Sequence, residues 1–196
     1  FLGVMYTGFF KLAYNGLGDL AVFIGFGPLM VYGAALMQNL AVAQAQSIDP
    51  IVTLFYSVPV GIFIALVLFI NCFQDYNADK AANKNSWVVK LAGPGDKANY
   101  RKPFSIWKGM MITSFLLIVG ASLYAQNYFT LIALIPLLIF NFASKKGSEW
   151  LIQWEKEDAN LQQLPYELLI VNVSTIGIHF LTGVLLTIGV LLSVWI

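Results

Sequence analysis

Two aspartates four residues apart follow a long apolar run and precede a series of lysines. They are Asp75 and Asp79, in the segment Asn71–Leu91, which reads NCFQDYNADKAANKNSWVVKL. If the apolar run is a helix leaving a membrane, Asn71, Asp75 and Asp79 share one face, because residues four apart are neighbours on a helix surface. Neighbouring carboxylates repel each other unless a cation lies between them, and Mg²⁺ is commonly held by a few carboxylates and substrate phosphates. The spacing therefore predicts a diphosphate-handling site at a membrane surface.

The composition indicates an integral membrane protein. Of the 196 residues, 59% are hydrophobic and 11% are charged, whereas about 25% are charged in a typical soluble domain. The stretches of 25 or more residues without Asp, Glu, Lys or Arg are 20–48, 50–74, 109–144 and 168–196. Because about 20 apolar residues cross the hydrocarbon core as a helix, and the third stretch is long enough for two crossings, the sequence predicts an all-α polytopic transmembrane helix bundle. The five predicted spans are roughly 20–43, 51–73, 107–124, 128–143 and 170–195.

The placement of charge predicts an orientation. With the first residues in the cytoplasm, all 11 Lys and Arg residues face the cytoplasm, and the opposite side carries only Asp49. This asymmetry follows the positive-inside rule and places Asp75 and Asp79 on the cytoplasmic side. The net charge of +1 gives no sign of a nucleic-acid partner, so we expect none. The basic residues near the two aspartates could instead bind phosphates or anionic lipid headgroups.

Other residues invite chemical interpretations that compete with structural ones. Cys72 is the only cysteine, which excludes a disulfide framework, and a free cysteine in an apolar run is most often a packing residue. His179 lies inside the last predicted span, where an ionisable side chain is a functional candidate; a neutral, hydrogen-bonded histidine is the commoner alternative. Trp150 and Trp154 are typical of a membrane interface and predict an amphipathic connector along the membrane surface.

Three passages resemble the UbiA superfamily of intramembrane prenyltransferases, and most closely its MenA subgroup, the 1,4-dihydroxy-2-naphthoate polyprenyltransferases of menaquinone synthesis. Residues 6–20, YTGFFKLAYNGLGDL, are similar to the subgroup's YTGGPxPLxYxGLGD/E, and residues 26–33, FGPLMVYG, continue the likeness. Residues 71–91 are similar to NNxRDxxxDRxxGKRTLAVRL, the second aspartate-rich motif and its continuation.

The resemblance implies that residues 1–196 form a single transmembrane domain, the C-terminal part of a bundle of nine helices in a bacterial inner membrane. The N-terminal helices and the first aspartate-rich motif would lie upstream, and this part alone is expected to be inactive. The implied reaction is Mg²⁺-dependent transfer of a polyprenyl group from polyprenyl diphosphate to an aromatic acceptor, with 1,4-dihydroxy-2-naphthoate as the expected acceptor.

The resemblance also assigns roles position by position. The expected catalytic residues and Mg²⁺ ligands are Asp75 and Asp79. The expected diphosphate-binding residues are Asn71, Lys80 and Lys84. Close to the cytoplasmic end of the first span, the residues that could orient the acceptor, or form only a structural turn, are Tyr14, Asn15 and Asp19.

The chain also departs from the subgroup's pattern. Gln74 stands where the subgroup has arginine, Asn83 replaces a glycine, and Asn85 and Ser86 replace Arg-Thr. A lost arginine removes a bidentate phosphate donor. These departures motivate an alternative function, a non-catalytic or degenerate UbiA-like subunit that binds lipid or quinone within a larger complex. A transporter would need ionisable residues along its spans, and only His179 qualifies.

Overall fold

The computed structural model describes residues 2–41, 49–93, 95, 97–160 and 163–195, and these contain helices and connections but no β-strand. The helices long and apolar enough to cross a membrane are Gly18–Gln38, Pro50–Gln74, Arg101–Tyr124, Tyr128–Glu155 and Leu164–Ser193. These coincide in order with the five predicted spans and confirm the all-α polytopic bundle. The end of the first predicted span, residues 42–43, lies outside the described residues.

Shorter elements connect or interrupt the spans. The α-helices are α1 (Leu2–Thr7), α2 (Gly18–Ile24), α3 (Met30–Ala41), α4 (Pro50–Gln74), α5 (Tyr76–Ala81), α6 (Trp87–Ala92), α7 (Arg101–Tyr124), α8 (Leu137–Glu155), α9 (Leu164–Glu167) and α10 (Leu169–Trp195). A π-helical turn, Gly25–Leu29, joins α2 to α3, and a 3₁₀ segment, Tyr128–Leu134, precedes α8. The first and fourth spans are therefore each built from more than one kind of helix.

The first span crosses α4 at two glycines. A Cβ atom on Gly27 would lie 2.7 Å from the Cα of Gly61, and a Cβ on Gly61 would lie 2.7 Å from the carbonyl oxygen of Phe23. Small residues allow such close backbone approach between membrane helices. Pro28, inside the π-helical turn, has no N–H to donate. The glycines and proline of this span thus serve both close packing and a local change of helix type.

The three polar segments of the chain meet at one end of the bundle. The backbone N–H of Asn85 donates to the carbonyl of Tyr14 at 3.0 Å. From the α6–α7 connection, Lys97 donates through Nζ to the carbonyl of Lys156 at 2.6 Å. The segments before α2, after α4 and after α8 therefore lie together, as the predicted grouping of basic residues on one side requires.

The polar end is closed by aromatic packing, and here one expectation was wrong. Trp150 and Trp154 do lie on one side of a helix, with ring centroids 5.5 Å apart. However, each is 4% exposed, and α8 runs through them without a break. Their Nε1 atoms donate to the carbonyls of Leu164 and Ala98, respectively. The tryptophans are buried because α8 continues past its apolar run to pack against the polar connections, so they do not form a surface connector.

Candidate functional site

The aspartate-rich segment begins as α4 ends. The helix stops at Gln74, the chain bends at Asp75, and α5 follows. Hydrogen bonds of helical spacing continue through the bend, from the N–H of Asp75 to the carbonyl of Asn71 at 3.2 Å and from the N–H of Asp79 to the carbonyl of Asp75 at 2.7 Å. The three residues therefore occupy successive turns, but in different surroundings: Asp75 is exposed, Asn71 is half-buried and Asp79 is buried.

Asp79 is held by a lysine five residues later. The Nζ of Lys84 donates to Asp79 Oδ1 at 3.0 Å, and Asp79 is only 6% exposed. Burial lowers the pKa of Lys84, but the hydrogen bond to Asp79 and the negative charge of Asp79 together outweigh this effect. The pKa of Lys84 is therefore raised, and the lysine is charged at neutral pH. The ion pair leaves the other carboxylate oxygen of Asp79, Oδ2, buried and without a partner within the described part of the chain.

The turn between Asp79 and Lys84 explains one departure from the MenA pattern. Asn83 has a backbone φ of 53°, in the left-handed region that glycine adopts freely and that asparagine tolerates better than most residues. The N–H of Lys84 donates to the carbonyl of Asp79 at 2.8 Å and closes the turn. Asparagine thus takes the backbone conformation for which the subgroup has a glycine.

We expect Asn83→Gly to leave stability nearly unchanged and Asn83→Val to lower the free energy of unfolding by about 1–2 kcal/mol, because a β-branched residue is strained in this conformation. The measurement is the unfolding midpoint of the detergent-solubilised intact protein. Asn77→Val, at an exposed position of α5, is the matched control. An Asn83→Val variant as stable as this control would contradict the assignment.

Lys80 points into the loop that follows α6. Its Nζ donates to the carbonyl of Gly95 at 3.0 Å and lies 5.7 Å from the centre of the Tyr76 ring. Lys80 is exposed, whereas Asp79 is buried, so the predicted contact of Lys80 with a diphosphate would lie on the solvent side of the Asp79–Lys84 pair.

The first turn of the first span brings a third carboxylate to this end. Asp19 is 5% exposed, its Oδ1 is buried and has no partner among the described residues, and it lies within electrostatic range of Lys84 and Asp79. The Tyr6 hydroxyl packs beside Gly18. Burial raises the pKa of Tyr6. The positive charge of Lys84 lowers this pKa, and the negative charges of Asp19 and Asp79 raise it, so that it is raised overall. The phenol is therefore neutral and able to donate at physiological pH.

Tyr14 and Asn15 are placed differently from Asp19. Both are exposed, and their backbone carbonyls accept hydrogen bonds from the N–H of Asn85 and the Nζ of Lys90. The Asn15 side chain donates to the carbonyl of Phe10. These contacts support the structural-turn alternative for the pair, while Asp19 alone of the three candidates faces a cavity.

That cavity has a volume of about 180 Å³ and lies between α2, α4 and α7. Apart from Asp19, its walls are apolar or aromatic, and include Phe23, Leu66, Phe69, Trp87 and Met110. An apolar cavity of about 150 Å³ accommodates benzene, so this space fits one aromatic ring or a short piece of isoprenoid chain. The cavity surface is almost wholly apolar, because the free Oδ1 of Asp19 is itself buried.

Asn71 contacts the last span. Its Oδ1 accepts a hydrogen bond from Nδ2 of Asn172 at 2.7 Å, and Asn172, on α10, is 3% exposed. Cys72 is buried, as expected of a packing residue. His179 lies seven residues further along α10 and is half-buried; no hydrogen bond to its side chain is formed within the described ranges.

Three residues of this site were missed by the sequence analysis. Tyr6 and Trp87 lie inside the passages that resemble the UbiA superfamily, which was the available signal for them. Asn172 had the weaker signal of an amide inside an apolar span, where an unsatisfied polar group is costly.

The carboxylates at this end fit a hard divalent cation. Mg²⁺ prefers oxygen ligands and is usually held by one or two carboxylates together with substrate phosphates. The unpartnered oxygen of Asp79 and the exposed carboxylate of Asp75 can supply one or two such protein ligands, with phosphate oxygens supplying the rest. No group of three Asp, Glu, His or Cys side chains that could hold a metal occurs in the described parts of the chain.

Comparison with known proteins gives a consistent result. The sequence model of the UbiA prenyltransferase family matches residues 1–163. The chain is 29% identical over 140 residues to the UbiA prenyltransferase domain-containing protein 1 of Dictyostelium discoideum, covering 69% of this chain and 38% of that protein. It is also 29% identical over 191 residues to the 2-carboxy-1,4-naphthoquinone phytyltransferase of Synechocystis, covering 96% of this chain and 54% of that protein.

The chloroplastic 2-carboxy-1,4-naphthoquinone phytyltransferase of Arabidopsis thaliana is 24% identical over 191 residues, covering 94% of this chain and 44% of that protein. The chain thus spans about half the length or less of the curated relatives it matches. No solved structure matches the chain significantly. The matches confirm the resemblance to the UbiA superfamily near its MenA subgroup.

Proposed function

This chain belongs to the UbiA prenyltransferase family, and on that premise we propose that it is the C-terminal part of an integral membrane enzyme that transfers a polyprenyl group from a polyprenyl diphosphate to a quinone precursor. The observation that carries the proposal is the meeting of the Asp79–Lys84 ion pair with buried Asp19 beside an apolar cavity. The end of α4 that carries the ion pair would bind the diphosphate, and the cavity would bind an aromatic ring.

The diphosphate would be held at the end of α4. Asp75 and Asp79 would hold Mg²⁺, which when bound supplies positive charge that stabilises the departing diphosphate. Lys84, kept protonated beside Asp79, would add fixed positive charge where negative charge develops, the usual source of electrostatic catalysis. Lys80 would contact the diphosphate from α5, and Asn71 would contact it from α4.

One ring of the acceptor would enter the cavity between α2, α4 and α7. Asp19, which lies in the wall of this cavity, would help to orient the ring. The apolar walls would exclude water from the reactive allylic carbon, which would otherwise be hydrolysed. Two relatives act, by their names, as phytyltransferases on 2-carboxy-1,4-naphthoquinone, which favours a 1,4-dihydroxy-2-naphthoate acceptor and a place in menaquinone biosynthesis.

We further propose that the chain forms one transmembrane domain with helices encoded upstream, and that it is inactive without them. The relatives that it matches are about twice as long or longer, and this difference supports the proposal of upstream helices. The gathering of the basic segments at one bundle end supports a cytoplasmic location for the site under the positive-inside rule. A bacterial inner membrane is the expected location.

The test is an acceptor panel assayed in membranes that contain the intact protein. We expect radiolabelled polyprenyl diphosphate with Mg²⁺ to yield a prenylated product with 1,4-dihydroxy-2-naphthoate and at least tenfold less with 4-hydroxybenzoate or homogentisate. Membranes from cells lacking the protein are the control. A preference for another acceptor would move the enzyme to a different quinone pathway, and no product with any of them would favour the non-catalytic, lipid- or quinone-binding subunit.

A further inference from the structure

Three side-chain amides connect the aspartate-rich end of α4 to the last span. The Nδ2 of Asn172 donates to Asn71 Oδ1 at 2.7 Å and to Gln74 Oε1 at 3.1 Å. The Nε2 of Gln74 in turn donates to the backbone carbonyl of Pro165 at 3.0 Å. Asn172 is 3% exposed, and Asn71 and Gln74 are half-buried. The Oδ1 of Asn172 has no partner within the described residues, so this amide contributes to the network through its NH₂ group alone.

The Pro165 carbonyl fixes the direction of every amide in this network. A carbonyl can only accept a hydrogen bond, so Gln74 must present its NH₂ group to Pro165 and its oxygen to Asn172. Asn172 must then present its NH₂ group, which has two hydrogens, and it donates one to Gln74 and one to Asn71. Asn71 must therefore turn its oxygen toward Asn172. The positions of the heavy atoms alone therefore fix which atom is O and which is N in each of the three amides.

These directions determine which atom of the Asn71 amide is left for a ligand. Its oxygen is used within the protein, while its Nδ2 makes no hydrogen bond to another residue of the described ranges. Asn71 is half-buried and precedes exposed Asp75 by one helical turn, so the two side chains are neighbours on the helix surface. An NH₂ group there can donate to an anionic oxygen, whereas it cannot bind a cation.

We propose that Asn172 is a positioning residue that orients the Asn71 amide so that its Nδ2 donates a hydrogen bond to a phosphate oxygen of the diphosphate. Asn71 is then a phosphate donor and not a metal ligand. Gln74, at the position of the subgroup's arginine, takes part in this orientation through Pro165. The inference rests on the proposed diphosphate site and assigns the direction of one contact within it.

The experiment measures binding of inorganic pyrophosphate to the intact, detergent-solubilised protein by titration calorimetry at saturating Mg²⁺, and then the Mg²⁺ dependence of that binding. Asn71→Asp keeps an oxygen for Asn172 but replaces the donor with a second oxygen. We expect it to weaken pyrophosphate binding at least tenfold without lowering the Mg²⁺ concentration required. If Asn71 were instead a metal ligand, the added carboxylate would preserve binding and lower the Mg²⁺ requirement, and this result would overturn the proposal.

Asn172→Asp tests the positioning role. A carboxylate at residue 172 cannot donate, so Asn71 would turn its NH₂ group inward and present oxygen to the ligand. We expect pyrophosphate binding to weaken in the same direction as for Asn71→Asp. The double variant Asn71→Ala with Asn172→Asp should bind no more weakly than Asn71→Ala alone, because residues that act through one contact are not additive. Additive losses would mean that Asn172 has only a structural role and would overturn the positioning claim.

If Asn172→Asp fails to fold, Asn71→Asp, at a half-buried position, still distinguishes a phosphate donor from a metal ligand. Two further results would be decisive. A wild-type protein that binds no pyrophosphate with Mg²⁺ would overturn the proposed function together with this inference. Wild-type binding that Asn71→Asp leaves unchanged would overturn the inference alone.

Discussion

Asp79→Asn in the intact protein is expected to reduce prenyl transfer by about a hundredfold or more, the scale on which single electrostatic groups act in transition-state stabilisation. The change keeps the size of the side chain but removes the charge that pairs with Lys84 at 3.0 Å. It also removes the carboxylate whose unpartnered oxygen we propose as a Mg²⁺ ligand. The measurement is the transfer rate at saturating Mg²⁺ in membranes with equal amounts of protein.

Asp75 separates a catalytic effect from a structural one. Asp79 is buried and its replacement leaves Lys84 without its partner, which can destabilise the fold, whereas Asp75 is exposed. Asp75→Asn should therefore cause a loss of similar size with an unchanged unfolding midpoint, and Asn77→Ala, on the same short helix, should cause none. Loss in Asp79→Asn with full activity in Asp75→Asn would show that Asp79 only secures the turn, and the site assignment would fail.

Gly61→Leu is expected to abolish assembly of the folded protein. Any Cβ at this position meets the carbonyl oxygen of Phe23 at 2.7 Å and the Cα of Gly27 at 2.9 Å. Both obstacles are backbone atoms, which cannot move aside as a side chain can, so the first span and α4 would have to separate. Overpacking against side chains already costs about 1–3 kcal/mol, and the cavity between these helices would be lost as well. The measurement is the yield of monodisperse protein on size-exclusion chromatography in mild detergent.

Gly120→Leu is the matched control for this change. Gly120 also lies in a membrane span, in α7, and a Cβ there meets no described atom within 4 Å. We expect its yield to stay near that of the wild type. Equal yields for Gly61→Leu and Gly120→Leu would contradict the close crossing of the first two spans.

Local pattern predicted the spans well and their ends less well. Apolar runs determine which segments can enter the bilayer, and each predicted span corresponds to a helix. The helices α7 and α8 extend beyond their apolar runs, to Arg101 and Glu155, because their polar turns pair with each other there. Such extensions depend on contacts between segments far apart in the chain, which periodicity does not report.

The candidate site was predicted as one helical stripe, and the structure divides it. The spacing of Asn71, Asp75 and Asp79 correctly placed them on successive turns. It did not indicate that Asp79 would be buried, since this depends on Lys84 and on the approach of the segment that carries Tyr6 and Asp19. Asn172, 101 residues from Asn71, lies beyond any local pattern. Residue spacing therefore predicted which side chains follow one another on successive turns, whereas their burial and their contacts required the fold.

The most direct test of the account is the metal dependence of prenyl transfer by the intact protein. Allylic diphosphate labelled in the prenyl chain would be supplied with 1,4-dihydroxy-2-naphthoate, first with Mg²⁺, then with excess chelator, and then with Mg²⁺ restored. We predict that labelled quinone precursor forms with Mg²⁺ and that the chelator removes about 95% or more of the product, because the metal would stabilise the departing diphosphate electrostatically. Product formation should recover when Mg²⁺ is restored. Undiminished transfer in the chelator would contradict a diphosphate site built on Asp75 and Asp79.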